Sequence, residues 1–520
     1  MYRETMQSLF EQAFANYKDR TAIKFQDKEY TYEQIELNAN RCSWSMIELG
    51  IGPGERSALL MSNCPEFIMA DLAIMKAGSG KVPLNDMLVE KEIQYILQDS
   101  EAKILFVGPD FFEVILNIKK NLPHLKYIVA ICDQKKCPAE FIPWSQFIAL
   151  QPSENPQSKV QPEDLYLLAY TGGTTGLPKG VFHSQKNGFI NMCSHMIETE
   201  INDVEKMLFS TPLSHSAGLF TQTGLLQGAT IIIEQKFDPN EILKIIEQEK
   251  VTFTFMVPTM IYRMLDELKN TTYEVSSLKT IVYGAAPITE QRLKEGMDRF
   301  GSVFLQFFGQ TECPNFITKL SKQDHSLDRD RVHRLKSCGR PVLMCNVKVV
   351  NSIGEMLAAG EEGEIVVQSP YVMNEYYKLP DKTSETIQNG WLFTGDVGKI
   401  DEDGYVYLLD RKKDMIITGG MNVYTTEVEN VLQKHPDISQ VAVIGVPHED
   451  WGESVLALII PTHEDVKKDD IFLHCSKLLS KYKRPKEIEF VKEFPLTPYG
   501  KLDKKALRAK YWGTIERNVN

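Results

Sequence analysis

Short apolar runs alternate with helix-patterned stretches along most of this 520-residue chain, and that alternation restricts the fold more than any single motif does. Strand-like runs include KILFVG from Lys103, YIVAIC from Tyr127, LYLLAYT from Leu165, ATIIIEQ from Ala229, VTFTFMVP from Val251, TIVYG from Thr280 and VFLQFFG from Val303. Amphipathic stretches such as NEILKIIEQEK and TEQRLKEGMDRF separate the later ones. Strand–helix repetition of this kind builds parallel sheets covered by helices. The polar, proline-containing segment 151–164 reads as a loop. A break follows near Asp410, after which SQVAVIGVP, VLALIIP and EIEFVKEFP read as strands and 470–481 as a helix. The expected class is α/β: a large N-terminal domain of parallel or mixed sheets covered by helices, residues 1–412, and a small mobile α/β domain, residues 413–520.

Composition excludes several classes of function. A net charge of −12 argues against nucleic acid as a partner, since such binders carry a basic face. No apolar run approaches the roughly 20 residues of a membrane-spanning helix, and the opening MYRETMQSLFEQAF lacks the features of a secretory signal. Nine cysteines without a CxxC pair read as reduced thiols of a cytoplasmic protein rather than a zinc site.

Residues 170–180 read YTGGTTGLPKG, directly after a strand-like run. Gly172, Gly173 and Gly176 permit positive φ, so that successive backbone N–H groups converge on one anion. Thr171, Thr174 and Thr175 add hydroxyls and Lys179 adds a full charge, a set suited to phosphate. It is not a Walker A loop: Leu177 and Pro178 stand where the second glycine belongs, and Lys179 precedes Gly180 rather than Ser or Thr.

This loop resembles the signature of the acyl-adenylate-forming ligases, the family of acyl-CoA synthetases, non-ribosomal adenylation domains and beetle luciferases. The resemblance continues in order through TPLSHSAG from Thr211, YGAAP from Tyr283, FFGQTE from Phe307, WLFTGD from Trp391, LDRKKDMIITGG from Leu409 and PLTPYGKLDKKAL from Pro495. It implies attack of a carboxylate on the α-phosphate of ATP, release of pyrophosphate, and transfer of the acyl group from AMP to CoA. The resemblance also implies the parts. Glu312 would hold Mg²⁺ and Thr311 would contact the α-phosphate, with Gly309 and Gln310 in the same motif. Phe308, where many relatives have tyrosine, would stack on adenine, and Gly284, Ala285 and Ala286 would line its other face. Asp396 and Arg411 would take the ribose, His215 and Ser216 would join Gly284 at the acyl pocket, and Lys501 would bridge substrate carboxylate and α-phosphate. Lys413 occupies the hinge position, and Gly419 and Gly420 would line the CoA channel.

Two departures are informative. The stretch after Thr211 carries no acid to pair with an α-amine, which disfavours an amino-acid substrate. Thr425 stands where many relatives have proline. The expected protein is an acyl-CoA synthetase for a fatty or other non-amino acid, using Mg²⁺, ATP and CoA as monomer or homodimer. A stand-alone enzyme loading an acyl-carrier protein, a silent nucleotide-binding scaffold and a luciferase-like oxygenase are the alternatives.

Overall fold

The computed structural model describes residues 4–171, 177–286, 288–496 and 502–513. These described residues form two compact units: one comprises 4–171, 178–286, 288–346 and 368–387, the other Leu177, 347–367, 388–496 and 502–513. Residues 347–367 and 388–412, assigned to the large domain by sequence, therefore pack in the unit that carries the C-terminal segment.

Among the described residues, the first unit holds a nine-stranded and an eight-stranded sheet. In the nine-stranded sheet Phe304–Gln310, Thr280–Tyr283, Phe253–Met256, Lys206–Phe209, Thr230–Ile233 and Thr21–Phe25 lie side by side in parallel. Such strands are buried on both faces, which is why the sequence shows continuous apolar runs such as FTFM and TIVY rather than alternation. Antiparallel strands Lys28–Thr31, Cys313–Leu320 and Arg340–Pro341 close its ends. The eight-stranded sheet runs Glu375–Tyr376, Lys179–Ser184, Leu165–Thr171, Gly80–Pro83, Arg56–Leu60, Ile104–Val107, Tyr127–Ala130 and Ile142–Pro143. Its first three strands are antiparallel, so the sheet is mixed.

In the second unit a five-stranded sheet contains Asn346–Val350, Gly363–Gln368, Trp391–Ile400, Ile387–Gln388 and Val406–Arg411. Another contains Met421–Val423, Ile416–Thr418, Gly452–Pro461, Ile438–His448 and Glu487–Phe490. The helix expected over 470–481 is observed at Lys468–Leu478. Its apolar residues Ile471 and Cys475, one turn apart, bury against the second sheet's core.

The nine-stranded sheet shifts register between Thr21 and Ile23 at one end and again at the other, where Cys313–Leu320 joins it. Phe304–Gln310 and Cys313–Leu320 form a hairpin whose two-residue turn is Thr311–Glu312. Register shifts between Phe308, paired with Thr318, and Gln310, paired with Cys313, so that Gly309 alone faces residues 314–317. A Cβ on Gly309 would stand 2.2 Å from the carbonyl oxygen of Asn315, itself at φ +60°. Only glycine fits this bulge without moving backbone. Gly309→Ala is expected to destabilise the first unit by about 2 kcal/mol, the scale of overpacking; a thermal melt no lower than wild type would contradict the close approach.

Candidate active site

The Thr311–Glu312 turn is tied down residue by residue, and the ties come from segments remote in sequence. His183, on Lys179–Ser184 of the eight-stranded sheet, donates its Nε2–H to the Thr311 carbonyl at 2.8 Å. A carbonyl only accepts, so the proton sits on Nε2. The Met373 amide donates to the Glu312 carbonyl at 2.7 Å, and Asn191 Nδ2 donates to that of Pro314 at 3.0 Å.

Asn315 continues the chain of bonds. Its Oδ1 accepts the Ser216 hydroxyl at 2.8 Å, which turns its Nδ2 to donate to His195 Nε2 at 2.9 Å. His195 in turn donates from Nδ1 to the Asn191 carbonyl at 2.8 Å. Every member is satisfied with the imidazole neutral; a proton on Nε2 would oppose the amide N–H of Asn315. Behind the turn, Phe220, Phe307 and Phe316 pack with ring centroids 5.5–6.1 Å apart. Phe220 belongs to the buried helix Ser216–Leu226, so that helix packs its ring against Phe307 and Phe316.

His215 caps that helix through its backbone and makes no side-chain cap bond. Asn85 Oδ1 accepts the Met87 amide at 2.8 Å, so Asn85 presents Nδ2 to His215 Nε2, also at 2.8 Å. The neutral His215 ring is thereby set with its proton on Nδ1. Gly284 follows the strand Thr280–Tyr283, and a Cβ there would meet the Phe307 carbonyl at 2.7 Å. Ala285, at φ +65°, and Ala286 are exposed beyond it, whereas Phe308 is buried to 9% exposure and Gln310 is partly buried.

Glu312 and Lys179 meet on one aromatic ring. The Tyr376 hydroxyl donates to Glu312 Oε1 at 2.6 Å, and the Lys179 ammonium stands 3.7 Å from the Tyr376 ring centroid. The short strand Glu375–Tyr376 pairs antiparallel with Lys179–Ser184, Tyr376 opposite Val181, which places the ring beside Lys179. Burial pulls the Lys179 ammonium below its usual pKa while Glu312 pulls it up. Burial and the Glu312 charge push the Tyr376 phenol above its usual value. Thr171 ends the strand before the Gly/Thr loop and pairs with Lys179. Gly172, Gly173, Thr174, Thr175 and Gly176 lie outside the described residues, as does Lys501.

In the second unit, Asp396 and Arg411 are antiparallel partners on neighbouring strands, and Arg411 Nε meets Asp396 Oδ1 at 2.7 Å. Asp396 is 5% exposed and half of the Arg411 side chain is covered. Burial lowers the Lys413 ammonium to about 8; Asp414 and Asp396 oppose the shift and Arg411 and Arg508 add to it. Gly419 and Gly420, at φ +56° and +78°, form the two-residue turn between Ile416–Thr418 and Met421–Val423, where both central residues need positive φ. Backbone conformation alone thus accounts for this pair.

Thr425, the departure from proline, opens the helix Thr425–Leu432 and is fully buried. Its amide and hydroxyl both donate to Asp410, at 2.5 and 2.9 Å, and its hydroxyl accepts from Lys504 at 2.6 Å. Lys504 also pairs with Glu429 at 2.7 Å. Burial works against the Lys504 ammonium, but Glu429 and Asp410 outweigh it and raise its pKa. Burial also pushes the Glu429 carboxyl up, against the pull of Lys504; the close pairing keeps both groups charged. A proline could supply neither donor.

Residues 10–377 match the family described as AMP-binding enzyme, and residues 427–501 match the AMP-binding enzyme C-terminal domain. The chain belongs to the AMP-binding enzyme family. It is 35% identical to the medium/long-chain-fatty-acid–CoA ligase FadD8 of Mycobacterium tuberculosis, over 98% of this chain and 90% of that protein. It is 33% identical to a feruloyl-CoA synthase of Amycolatopsis, over 94% and 96%. The ATP-bound structure of MatB from Rhodopseudomonas palustris is similar with a TM-score of 0.88 at 28% identity, covering 98% of this chain and all of that one (100%). Family members thus share the whole architecture, not one motif.

Tyr376, His183, Asn191, His195, Asn315 and Asn85 belong to none of the sequence motifs. For His183, Asn191 and His195 the sequence signal is a density of His and Asn in 183–195, which points to no partner, and Tyr376, Asn315 and Asn85 carry none. The buried histidines carry a pH signature. Burial lowers His183, His195 and His325 from 6.5 to about 4, partly offset by their bonds to backbone carbonyls. The unfolded chain therefore binds more protons between these values, and stability falls as pH drops from 6.5 towards 4, levelling off below. Each histidine contributes up to about 3 kcal/mol to that loss. Melting midpoints measured from pH 7.5 to 4.5 should fall, and His183→Gln should flatten the profile; an unchanged slope would contradict the assignment.

Proposed function

We propose that this protein is an acyl-CoA synthetase that activates a fatty or other non-amino carboxylic acid with ATP and passes the acyl group to CoA. The observation that carries the reading is the clamped Thr311–Glu312 turn facing Lys179, in a chain similar along its length to acid–CoA ligases. In the first half-reaction a carboxylate oxygen attacks the α-phosphorus and pyrophosphate leaves. In the second, the CoA sulfur attacks the acyl carbonyl and AMP leaves. Both groups in the first step are anionic, so the protein's task is positioning and charge compensation.

The proposed roles track the motifs. Thr171 to Gly176 and Lys179 cradle the phosphates, and Thr311 donates to the α-phosphate. A half-buried carboxylate with one oxygen held by Tyr376 fits a hard cation, so Glu312 would hold Mg²⁺. That ion, when bound, supplies charge compensation for the triphosphate. Gly284, Ala285, Ala286, Phe308, Gly309 and Gln310 border adenine, while Asp396 and Arg411 take the ribose hydroxyls. Asn85 fixes His215 as a neutral donor, which with Ser216 and Gly284 borders the acyl group. Lys501 bridges the attacking carboxylate and the α-phosphate. The functional division falls at Lys413, about which residues 413–520 turn between half-reactions and bring Gly419 and Gly420 to the CoA thiol.

An acid panel followed by pyrophosphate release, with and without CoA, tests the reading. Release with fatty or aryl acids and thioester only with CoA is the expected result; thioester only on an acyl-carrier protein would reassign the acceptor. Lys501→Ala should slow adenylation by about 100-fold or more, one such contact being worth about 3 kcal/mol, and spare thioester formation from supplied acyl-AMP. Equal loss in both half-reactions would refute the role of Lys501.

A further inference from the structure

The carboxylate and the lysine expected at the nucleotide come from different sheets, yet one side chain touches both. Tyr376 is 3% exposed, so its ring has one position, set by the pairing of Glu375–Tyr376 with Lys179–Ser184. Its amide is fixed as well, donating to Thr383 Oγ1 at 2.9 Å. From this seat the hydroxyl reaches Glu312 Oε1 at 2.6 Å and the ring face meets the Lys179 ammonium at 3.7 Å.

We propose that Tyr376 is a positioning residue for the magnesium–nucleotide complex: its hydroxyl holds Glu312 in one rotamer with the second carboxylate oxygen left for the cation, and its ring holds Lys179 in place before nucleotide arrives. The proposal rests on the adenylating function of the same site. Two physical effects support it. A carboxylate on a two-residue turn has three rotatable bonds, and a charge-assisted bond of 2.6 Å removes most of that freedom before binding. A lysine whose burial disfavours its charge gains from an aromatic face, which attracts the cation without neutralising it as a carboxylate contact would. Glu312 thus stays available to metal and Lys179 to phosphate.

Binding of a non-hydrolysable ATP analogue by calorimetry, with and without Mg²⁺, separates the parts without turnover. Tyr376→Phe keeps the ring and removes the hydroxyl. It should weaken the magnesium complex about tenfold, the scale of a hydrogen bond to a charged group, and leave metal-free analogue within about twofold. Tyr376→Leu should in addition weaken the metal-free analogue, because Lys179 loses its seat. A double-mutant cycle with Glu312→Gln reads the Tyr376–Glu312 coupling whatever the single variants do to stability. Coupling near tenfold in the presence of Mg²⁺ supports the proposal. No coupling, or equal weakening with and without Mg²⁺ in Tyr376→Phe, overturns it and leaves the adenylating function standing. Failure of the wild-type chain to bind the analogue at all refutes the function itself.

Discussion

The hydrogen bond from His183 to the Thr311 carbonyl ties one sheet of the first unit to the turn of the other. A group that must hold phosphate and cation is useful only if its backbone is fixed. Here Thr311, Glu312, Pro314 and Asn315 are each bonded by a side chain or amide from another segment, and Gly309 lets the facing backbone close in. The histidines involved are neutral donors or acceptors in the buried interior. In that setting an unmade bond costs about 1–3 kcal/mol, so the network specifies one arrangement of the turn.

The second unit solves a related problem with charge. Asp396 and Arg411 face each other across a strand pair, and the adjacent Asp410 is engaged by Thr425, which Lys504 joins to Glu429. Arg508 adds a bond to Asp414 at 2.6 Å. The segment 410–414 is thereby bonded both to the helix after the glycine turn and to the C-terminal helix Lys504–Trp512. Thr425 is the residue that makes this possible, since only a residue with both N–H and hydroxyl can serve Asp410 twice while accepting from lysine.

Much of this was legible in the sequence because the information is local. Parallel strands announce themselves as continuous apolar runs, and the phosphate-directed motifs stand at strand ends where such folds place their chemistry. The Gly419–Gly420 pair was readable as two positions without a side chain, whereas nothing in the sequence marked Gly309 as the close approach it makes. What was not legible depends on distance along the chain. Tyr376 lies 64 residues from its partner Glu312, and Asn315 lies 120 from His195. No local spacing encodes such pairs, and a tyrosine in a two-residue edge strand looks like any core aromatic. The boundary at 412/413 reflects a change of motif, whereas the compact units reflect packing, which draws 347–367 and 388–412 to the C-terminal side.

The proposed chemistry depends on the Thr311–Glu312 turn being the place where the phosphorus is attacked. A crystal structure with an acyl-sulfamoyl-adenosine analogue tests this directly. The analogue's sulfamoyl group should lie within hydrogen-bond reach of Thr311, with the bonds from His183 and Asn191 to the turn intact. A sulfamoyl group bound away from this turn, or a turn that has left His183 to receive it, would contradict that placement.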